Sequence, residues 1–204
     1  MSSVIAVAGS ARRNGNSERL LDAMLDGMRE VDEELEVDEE LEVDKIVPRE
    51  LDITPCRSCN GCWETGRCVI DDCMQDLYAA FSAADHVVVA SPIYFTSLPG
   101  HLKVFIDRFQ CFWVRTYRLG DPPQPRRKGA FICAGAMDRR RYFESCRTTV
   151  KTWLSTLNVG CDVSRFYHGL DAKEDISERD DYLADARKAG RELRADTESA
   201  GHGE

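Results

Sequence analysis

The chain has 204 residues, of which 43% are hydrophobic and 31% are charged, and its formal net charge is −9. This length and composition predict one globular domain with its own core and exclude a disordered chain. The acidic balance argues against nucleic acid as a partner, because phosphate binding needs a basic face. No apolar run approaches the ~18 residues of a membrane span, and no secretory leader precedes the first apolar run. We therefore expect a cytoplasmic protein that partners neither a membrane nor nucleic acid.

The chain opens with a predicted strand, a polar loop and a predicted helix. Residues 4–8 form a continuous apolar run, VIAVA, which is typical of a strand buried on both faces. The loop reads GSARRNGNS over residues 9–17. Beyond it, apolar residues recur at helical spacing between residues 20 and 28, and Asn16 or Ser17 can cap that helix.

This first loop is a candidate phosphate site. It is neither a dinucleotide-binding fingerprint nor a nucleoside-triphosphate P-loop, because the required glycine spacing and lysine are missing. Backbone N–H groups at a helix N-terminus bind anions. Four polar side chains of the loop could add to them: Ser10, Arg12, Asn16 and Ser17. A polar loop before a well-capped helix, with no ligand, is the alternative interpretation.

An acidic tandem repeat follows the first helix. The letters EVDEEL occupy residues 30–35 and again residues 36–41. The period is too short for a solenoid, so we expect the end of the first helix to run into a second strand near residues 41–47. An acidic docking face is the alternative interpretation.

Nine cysteines are an odd number, which argues against a disulfide scaffold in a chain without a leader. Four of them follow the spacing C-x2-C-x2-C-x5-C, at Cys56, Cys59, Cys62 and Cys68. Three cysteines at this pitch are typical of iron–sulfur loops, whereas four thiolates would also suit zinc. Free thiols in a loop without a metal are the third interpretation.

The other cysteines and two histidines carry less specific signals. Cys73 could replace one of the four ligands or begin the next helix. We expect His86 and His101 to be structural, and we expect no side-chain nucleophile. The remaining cysteines are predicted to be small core residues: Cys111, Cys133, Cys146 and Cys161.

The rest of the chain alternates between predicted helices and strands. Helices are predicted at 71–83, 99–109, 140–157 and 178–194, and strands at 86–90, 130–134 and 163–167. This alternation predicts an α/β fold, a doubly wound sheet of five parallel strands with helices on both faces. Ligands of such sheets bind at the carboxyl ends of the strands.

Two later loops follow predicted strands and could hold a flat ring. Residues 91–95 read SPIYF, and a heteroaromatic ring could stack on Tyr94 or Phe95. Gly135, after the fourth strand, would let a ring approach the backbone closely. The alternative interpretation is that these aromatic side chains simply close the core.

With these motifs together, the chain resembles the flavodoxin-like NAD(P)H-dependent FMN reductase superfamily, and most of all its branch of iron–sulfur flavoproteins. The resemblance rests on G-S-x-R-x-x-G-N-S at 9–17, on the cysteine motif with its Asp-Asp at 55–72, and on S-P-I-Y-F at 91–95. It covers most of residues 3–170.

The resemblance implies a single flavodoxin-like FMN-binding domain over residues 1–195, with a cysteine-rich loop at 54–73 after the second strand and a disordered tail at 196–204. It also implies which residues hold FMN: Ser10, Arg12, Gly15, Asn16, Ser17, Pro92, Ile93, Tyr94, Phe95, Ala134 and Gly135. In the iron–sulfur branch, Cys56, Cys59, Cys62 and Cys68 would hold a 4Fe–4S cluster.

The activity implied by the resemblance is that of an FMN-dependent oxidoreductase. Electrons would pass between the cluster and FMN, with NAD(P)H as the reductant and a small molecule or protein as the other electron partner. The resemblance further implies a homodimer or homotetramer. Two alternatives stay open: a cluster-free NAD(P)H-dependent FMN or quinone reductase, and a non-catalytic flavin-binding electron carrier or redox sensor.

Overall fold

Five parallel strands form one sheet in the computed structural model, which describes residues 2–34, 41–122 and 124–195. The strands are β1 (Ser3–Ala8), β2 (Glu42–Ile46), β3 (His86–Pro92), β4 (Lys128–Ala134) and β5 (Val163–Tyr167). Their order across the sheet is β2-β1-β3-β4-β5, and each neighbouring pair is parallel. This is the flavodoxin-like order, so the predicted fold is confirmed.

In the described part of the chain, six α-helices lie between or after the strands and cover both faces of the sheet. They are α1 (Asn16–Glu34), α2 (Met74–Ala83), α3 (Gly100–Asp107), α4 (Gln110–Val114), α5 (Arg140–Thr156) and α6 (Asp180–Ala195). A π-helical turn at Arg115–Leu119 extends α4, and short 3-10 turns lie at Pro48–Glu50 and Asp175–Glu178. Residues 51–73, which carry the cysteine motif, contain neither a helix nor a strand.

The two faces of the sheet bury different cores. On one face, α1 and α6 pack over small residues of the central strands such as Ala6, Ala90 and Ala130. On the other, α2, α3, α4 and α5 cover β-branched and aromatic residues. There Phe109 makes close ring contacts with Phe81, Phe105 and Trp153. Alternate side chains of a strand point to opposite faces, so the continuous apolar runs serve both cores.

Several predicted boundaries are wrong for local reasons. The helix predicted from residue 71 begins at Met74, because the Asp72 carboxylate accepts a hydrogen bond from the Met74 N–H at 3.1 Å and stays outside the helix. The helix predicted over 99–109 ends at Asp107, and a separate helix begins at Gln110. β3 runs through Pro92, into the segment predicted as a loop.

Some predictions lie outside the described residues or stay predictions. Residues 35–40 of the acidic repeat and the tail at 196–204 are outside the described ranges. The extent of a single domain over residues 1–195 stays a prediction. No helix in the described part of the chain is long and apolar enough to cross a membrane.

Candidate functional site

The loop between β1 and α1 lies at the carboxyl edge of the sheet, next to the loop that follows β3. Gly9 continues the sheet by donating its N–H to the carbonyl of Ala90 at 2.8 Å. The Ser10 hydroxyl accepts the N–H of Arg12 at 3.0 Å, which turns the loop towards the helix. Ser10 and Ser17 are buried. The first N–H groups of α1 lack intrahelical acceptors, so this loop presents hydroxyl and N–H donors.

Arg12 and Asn16 join this loop to the segment between β5 and α6. Arg12 Nη1 donates to the carbonyl of Asp171, and Asn16 Nδ2 donates to the carbonyl of Ala172, both at 2.7 Å. Asn16 Oδ1 also accepts the N–H of Ile176 at 3.1 Å. The amide of Asn16 thus holds the second loop against the first. The sequence carries no motif at 171–176 from which this contact could be predicted.

A buried charge network supports the same loop from the β2 side. Arg49 Nη1 donates to the carbonyl of Ser10 at 2.8 Å, and its guanidinium lies 3.7 Å from Glu18. Glu18 accepts the N–H of Asn14 at 2.9 Å and pairs with Lys45 at 3.1 Å. Burial opposes ionisation of Glu18, but these donors hold the pKa of its carboxyl below the usual value. Sequence reasoning missed Arg49; its position just beyond β2, at the ligand edge, is the signal that could have found it.

His101, on α3, contacts the loop between β1 and α1. Its Nε2 lies 3.1 Å from the carbonyl oxygen of Gly9. Burial lowers the pKa of His101, and Arg49 lowers it further against the opposing effect of the Gly9 carbonyl. A neutral ring that donates from Nε2 fits this contact.

A cleft of about 470 Å³ opens at the ends of β3 and β4. Its lining residues are Ile93, Tyr94, Phe95, Thr96, Gly135, Ala136, Met137, Tyr142 and Asp171. Four of these belong to the predicted set, and the other predicted residues Pro92 and Ala134 pair with each other in the strands beneath. The carbonyl of Asp171 also accepts the hydrogen bond from Arg12, so the cleft and the first loop are contiguous.

The aromatic residues at this cleft do not close the core. Phe95 is fully exposed and Tyr94 is 39% exposed. A tight turn holds them outward: Tyr94 and Ser97 exchange backbone hydrogen bonds at 2.9 and 3.0 Å, and Phe95 has a φ of 48°. The core-closing interpretation is therefore wrong for this pair. Thr96, Ala136, Met137, Tyr142 and Asp171 were missed because no local pattern marks them.

The four motif cysteines line one cavity of about 210 Å³. Ser58 and Asn60, which lie between them, have left-handed φ values of 50° and 61°, so the loop curls around the cavity. Cys73 is outside the lining; it immediately precedes α2, and its sulfur lies 3.6 Å from the carbonyl of Asp52. Cys111, Cys133 and Cys146 are buried as predicted, whereas Cys161 is only partly buried.

Arg108 forms a buried wall of this cavity. It is 1% exposed, and its guanidinium makes a two-pronged contact with the carboxylate of Asp72. Its Nη2 also lies 3.5 Å from the sulfur of Cys68. Burial opposes ionisation of Asp72, but Arg108 holds the pKa of that carboxyl below its usual value. The Arg108 Nε–H is buried and has no hydrogen-bond partner.

This donor set fits an anionic cluster better than a single ion. Among the described residues, no three His, Cys, Asp or Glu side chains lie close enough together to hold one metal ion. An iron–sulfur cluster is larger, and its thiolate ligands stand apart around it. The four motif cysteines and Cys111 line the cavity beside the buried Arg108 guanidinium, whose Nε–H has no partner, so the cavity offers thiolate ligands and a cation to such a group.

A family model described as NADPH-dependent FMN reductase matches residues 2–163. The chain belongs to this family. The FMN reductase match covers β1 to β4, both site loops and the cysteine cavity, and it ends in β5. The loop at 171–176, which contacts Arg12 and Asn16, lies beyond it.

Two curated relatives are similar to part of this chain. An iron-sulfur flavoprotein of Methanosarcina thermophila is 31% identical over 105 residues, 52% of this chain and 51% of the relative. An iron-sulfur flavoprotein of Archaeoglobus fulgidus is 35% identical over 104 residues, 51% of this chain and 44% of the relative. The similarity thus spans about half the length of these relatives.

Solved structures show the same fold at low sequence identity. A flavone reductase aligns with a TM-score of 0.68 at 17% identity, covering 99% of this chain and 65% of that one. An NAD(P)H:quinone oxidoreductase from Methanothermobacter marburgensis aligns with a TM-score of 0.65 at 17% identity, covering 94% of each chain. These likenesses support the flavodoxin-like architecture of the FMN reductase family.

Proposed function

We propose that the protein is an FMN-dependent oxidoreductase that transfers electrons between FMN and a 4Fe–4S cluster. The observation that carries the proposal is the single cavity lined by all four motif cysteines and by buried Arg108. Membership of the FMN reductase family supports the flavin, and the partial similarity to iron-sulfur flavoproteins supports the cluster.

The first loop would bind the phosphate of FMN. The buried hydroxyls of Ser10 and Ser17 and the first N–H groups of α1 would supply the donors. Gly15 keeps the turn compact before the helix. Arg12 would contribute charge, and Asn16 would act mainly by holding the loop at 171–176 in place.

The cleft would hold the isoalloxazine ring. The turn at Tyr94 and Phe95 would flank one side, and the backbone at Ala134 and Gly135 would flank the other. Bound FMN supplies redox chemistry that handles one or two electrons. The protein's part is to orient the ring and to shield it from water.

The cysteine cavity would hold the cluster through Cys56, Cys59, Cys62 and Cys68. Arg108 would offset part of the negative charge of the thiolates, because it is a fixed cation at the cavity wall. NAD(P)H is the proposed reductant, and the other electron partner is a small molecule or a protein.

The test is a visible absorption spectrum of protein purified without oxygen, with iron and sulfide assayed on the same sample. We expect flavin bands over a broad shoulder that dithionite bleaches, and about four irons per chain. Cys59→Ser should lose the iron and keep the FMN, whereas the control Cys73→Ser should keep both. If wild-type protein that was never exposed to oxygen shows flavin bands but contains no iron, the proposed cluster is wrong.

A cluster-free NAD(P)H-dependent FMN or quinone reductase is the second candidate. It is favoured by the observation that no described group of side chains is arranged to hold a metal ion. For this candidate we expect anaerobically purified, iron-free protein to oxidise NAD(P)H with FMN or a quinone as acceptor. Dependence of that activity on added iron and sulfide would instead support the first candidate.

A further inference from the structure

The cysteine loop is closed at its base by three residues. Asp72 accepts the N–H of Thr54 at 3.1 Å, and Arg108 Nη1 donates to the carbonyl of Thr54 at 2.7 Å. Asp72 and Arg108 then pair directly. Because Thr54 and Asp72 stand at the two ends of the loop, Arg108 ties both ends to the break between α3 and α4.

Four of the five N–H donors of Arg108 have hydrogen-bond partners. A guanidinium has five N–H donors. Nη1 uses its two on Thr54 and Asp72, and Nη2 uses its two on Asp72 and the sulfur of Cys68. The fifth, on Nε, has no partner. A thiol is a weak acceptor, whereas a thiolate that ligates a cluster accepts hydrogen bonds more strongly, so the contact from Nη2 suits a Cys68 sulfur that serves as a cluster ligand.

The charge balance leads to the same conclusion. The Arg108 side chain is fully buried, and its single carboxylate partner is 11% exposed. Burying a cation costs free energy that one ion pair often fails to recover. A second anion on the sulfur side of the guanidinium would lower that cost.

We propose that Arg108 is a positioning residue of the cysteine cavity, which hydrogen-bonds the Cys68 sulfur and thereby raises the reduction potential of the 4Fe–4S cluster held there. This inference rests on the proposed function. Reduction adds one electron from an external reductant, and so one negative charge, to a group that is already anionic. A fixed N–H···S donor stabilises the reduced form more than the oxidised form.

The experiment compares the cluster potential of variants by anaerobic dithionite titration, followed by absorption and electron paramagnetic resonance. The main variant is the double substitution Arg108→Gln with Asp72→Asn, which removes both charges of the pair and leaves the local net charge unchanged. The second is Arg108→Lys, which keeps the positive charge but loses the forked geometry. Each protein is reconstituted with iron and sulfide, and the potential is measured on the fraction that holds the cluster.

We expect both variants to titrate at a more negative potential than the wild type and to retain less iron. The control is Lys151→Gln, which removes an exposed positive charge from α5, outside the lining of the cysteine cavity. Its potential should stay at the wild-type value, because solvent screens an exposed charge.

The outcomes separate the inference from the function on which it rests. Wild-type protein without iron overturns the proposed function and the inference with it. Wild-type protein with iron, and Arg108 variants at an unchanged potential, overturn only the inference and leave Arg108 a purely structural role. The Arg108 variants could also fold and bind FMN but take up no cluster at all. That result likewise counts against an effect of Arg108 on the reduction potential, because Arg108 would then be needed only to shape the loop.

Discussion

At the scale of single residues, buried polar side chains concentrate in one loop. Ser10, Asn16, Ser17 and Glu18 are all at most 9% exposed, although serine, asparagine and glutamate are usually found at the surface. Buried polar groups require partners. Asn16 bonds the loop before α6, and Glu18 pairs with Lys45 of β2. The hydroxyl of Ser17 is therefore the side chain of this group best suited to a bound anion.

Ser17→Ala should weaken FMN binding without unfolding the protein. A hydrogen bond to a charged group contributes about 1.5–3 kcal/mol, so we expect the dissociation constant of FMN to rise at least ~10-fold. Quenching of flavin fluorescence on binding measures this constant. Ser82→Ala is the control, since that hydroxyl bonds the Tyr78 carbonyl within α2, away from the loop. Equal FMN affinity in the Ser17 variant and the wild type would remove Ser17 from the phosphate site.

At the scale of elements, α1 and α6 touch through their backbones. A Cβ added at Gly190 would lie 2.0 Å from the carbonyl oxygen of Met24, and one added at Gly27 would lie 2.0 Å from that of Arg187. Neither helix can move away freely, because Ala186, Ala189 and other residues of α6 are buried in the core between them and the sheet. This close crossing also sets where the segment before α6 meets Asn16.

Gly190→Ala should therefore destabilise the fold. Overpacking a tight contact costs about 1–3 kcal/mol, and we expect a loss of that size in the free energy of unfolding. Urea denaturation followed by circular dichroism measures it. Gly100→Ala is the matched control, because nothing lies within 4 Å of a Cβ at that position at the start of α3; its stability should be unchanged or slightly higher. A Gly190 variant as stable as the control would show that the two helices can separate without cost.

A break in the helical chain separates α3 from α4. Apolar spacing predicted one helix over residues 99–109, but α3 ends at Asp107. The adjoining Arg108 has its side chain committed to Asp72 and to the cysteine loop. A long-range ion pair thus coincides with the end of a helix that local periodicity would continue.

At the scale of the whole molecule, exposed apolar side chains gather at the two candidate sites. Phe95, Tyr94 and Met137 surround the cleft. A second group lies at the cysteine cavity and the π-helical turn: Trp63, Val69, Trp113, Tyr117 and Leu119. Exposed apolar side chains are typical of interaction sites when they form one patch; the homodimer or homotetramer stays a prediction.

The mass of the protein in solution tests the predicted oligomer. We expect sedimentation equilibrium of the FMN-loaded protein to give at least twice the chain mass of 23.0 kDa. Phe95→Asn should shift the equilibrium towards monomer, because it removes an exposed ring at a left-handed position that asparagine tolerates. A single monomeric species at all protein concentrations would contradict the predicted assembly.

The amino-acid sequence was enough to predict the architecture and the loops where chemistry can occur. Continuous apolar runs identified three of the strands, helical spacing identified most helices, and the alternation of strands with helices predicted a parallel sheet. The motifs at residues 9–17, 56–68 and 91–95 marked the loops, because residues adjacent in the chain stay adjacent in the fold. The acidic repeat stayed without a role, since residues 35–40 lie outside the described part of the chain.

Which distant residues complete each site became visible only in the folded structure. Arg49 meets Ser10 across 39 positions, Arg12 meets Asp171 across 159, and Arg108 meets Cys68 across 40. Such partners follow no period and no spacing rule, because they depend on which loops the strand order brings to one edge of the sheet. Periodicity reports the local environment of a side chain, whereas a contact between loops exists only once the whole sheet has formed.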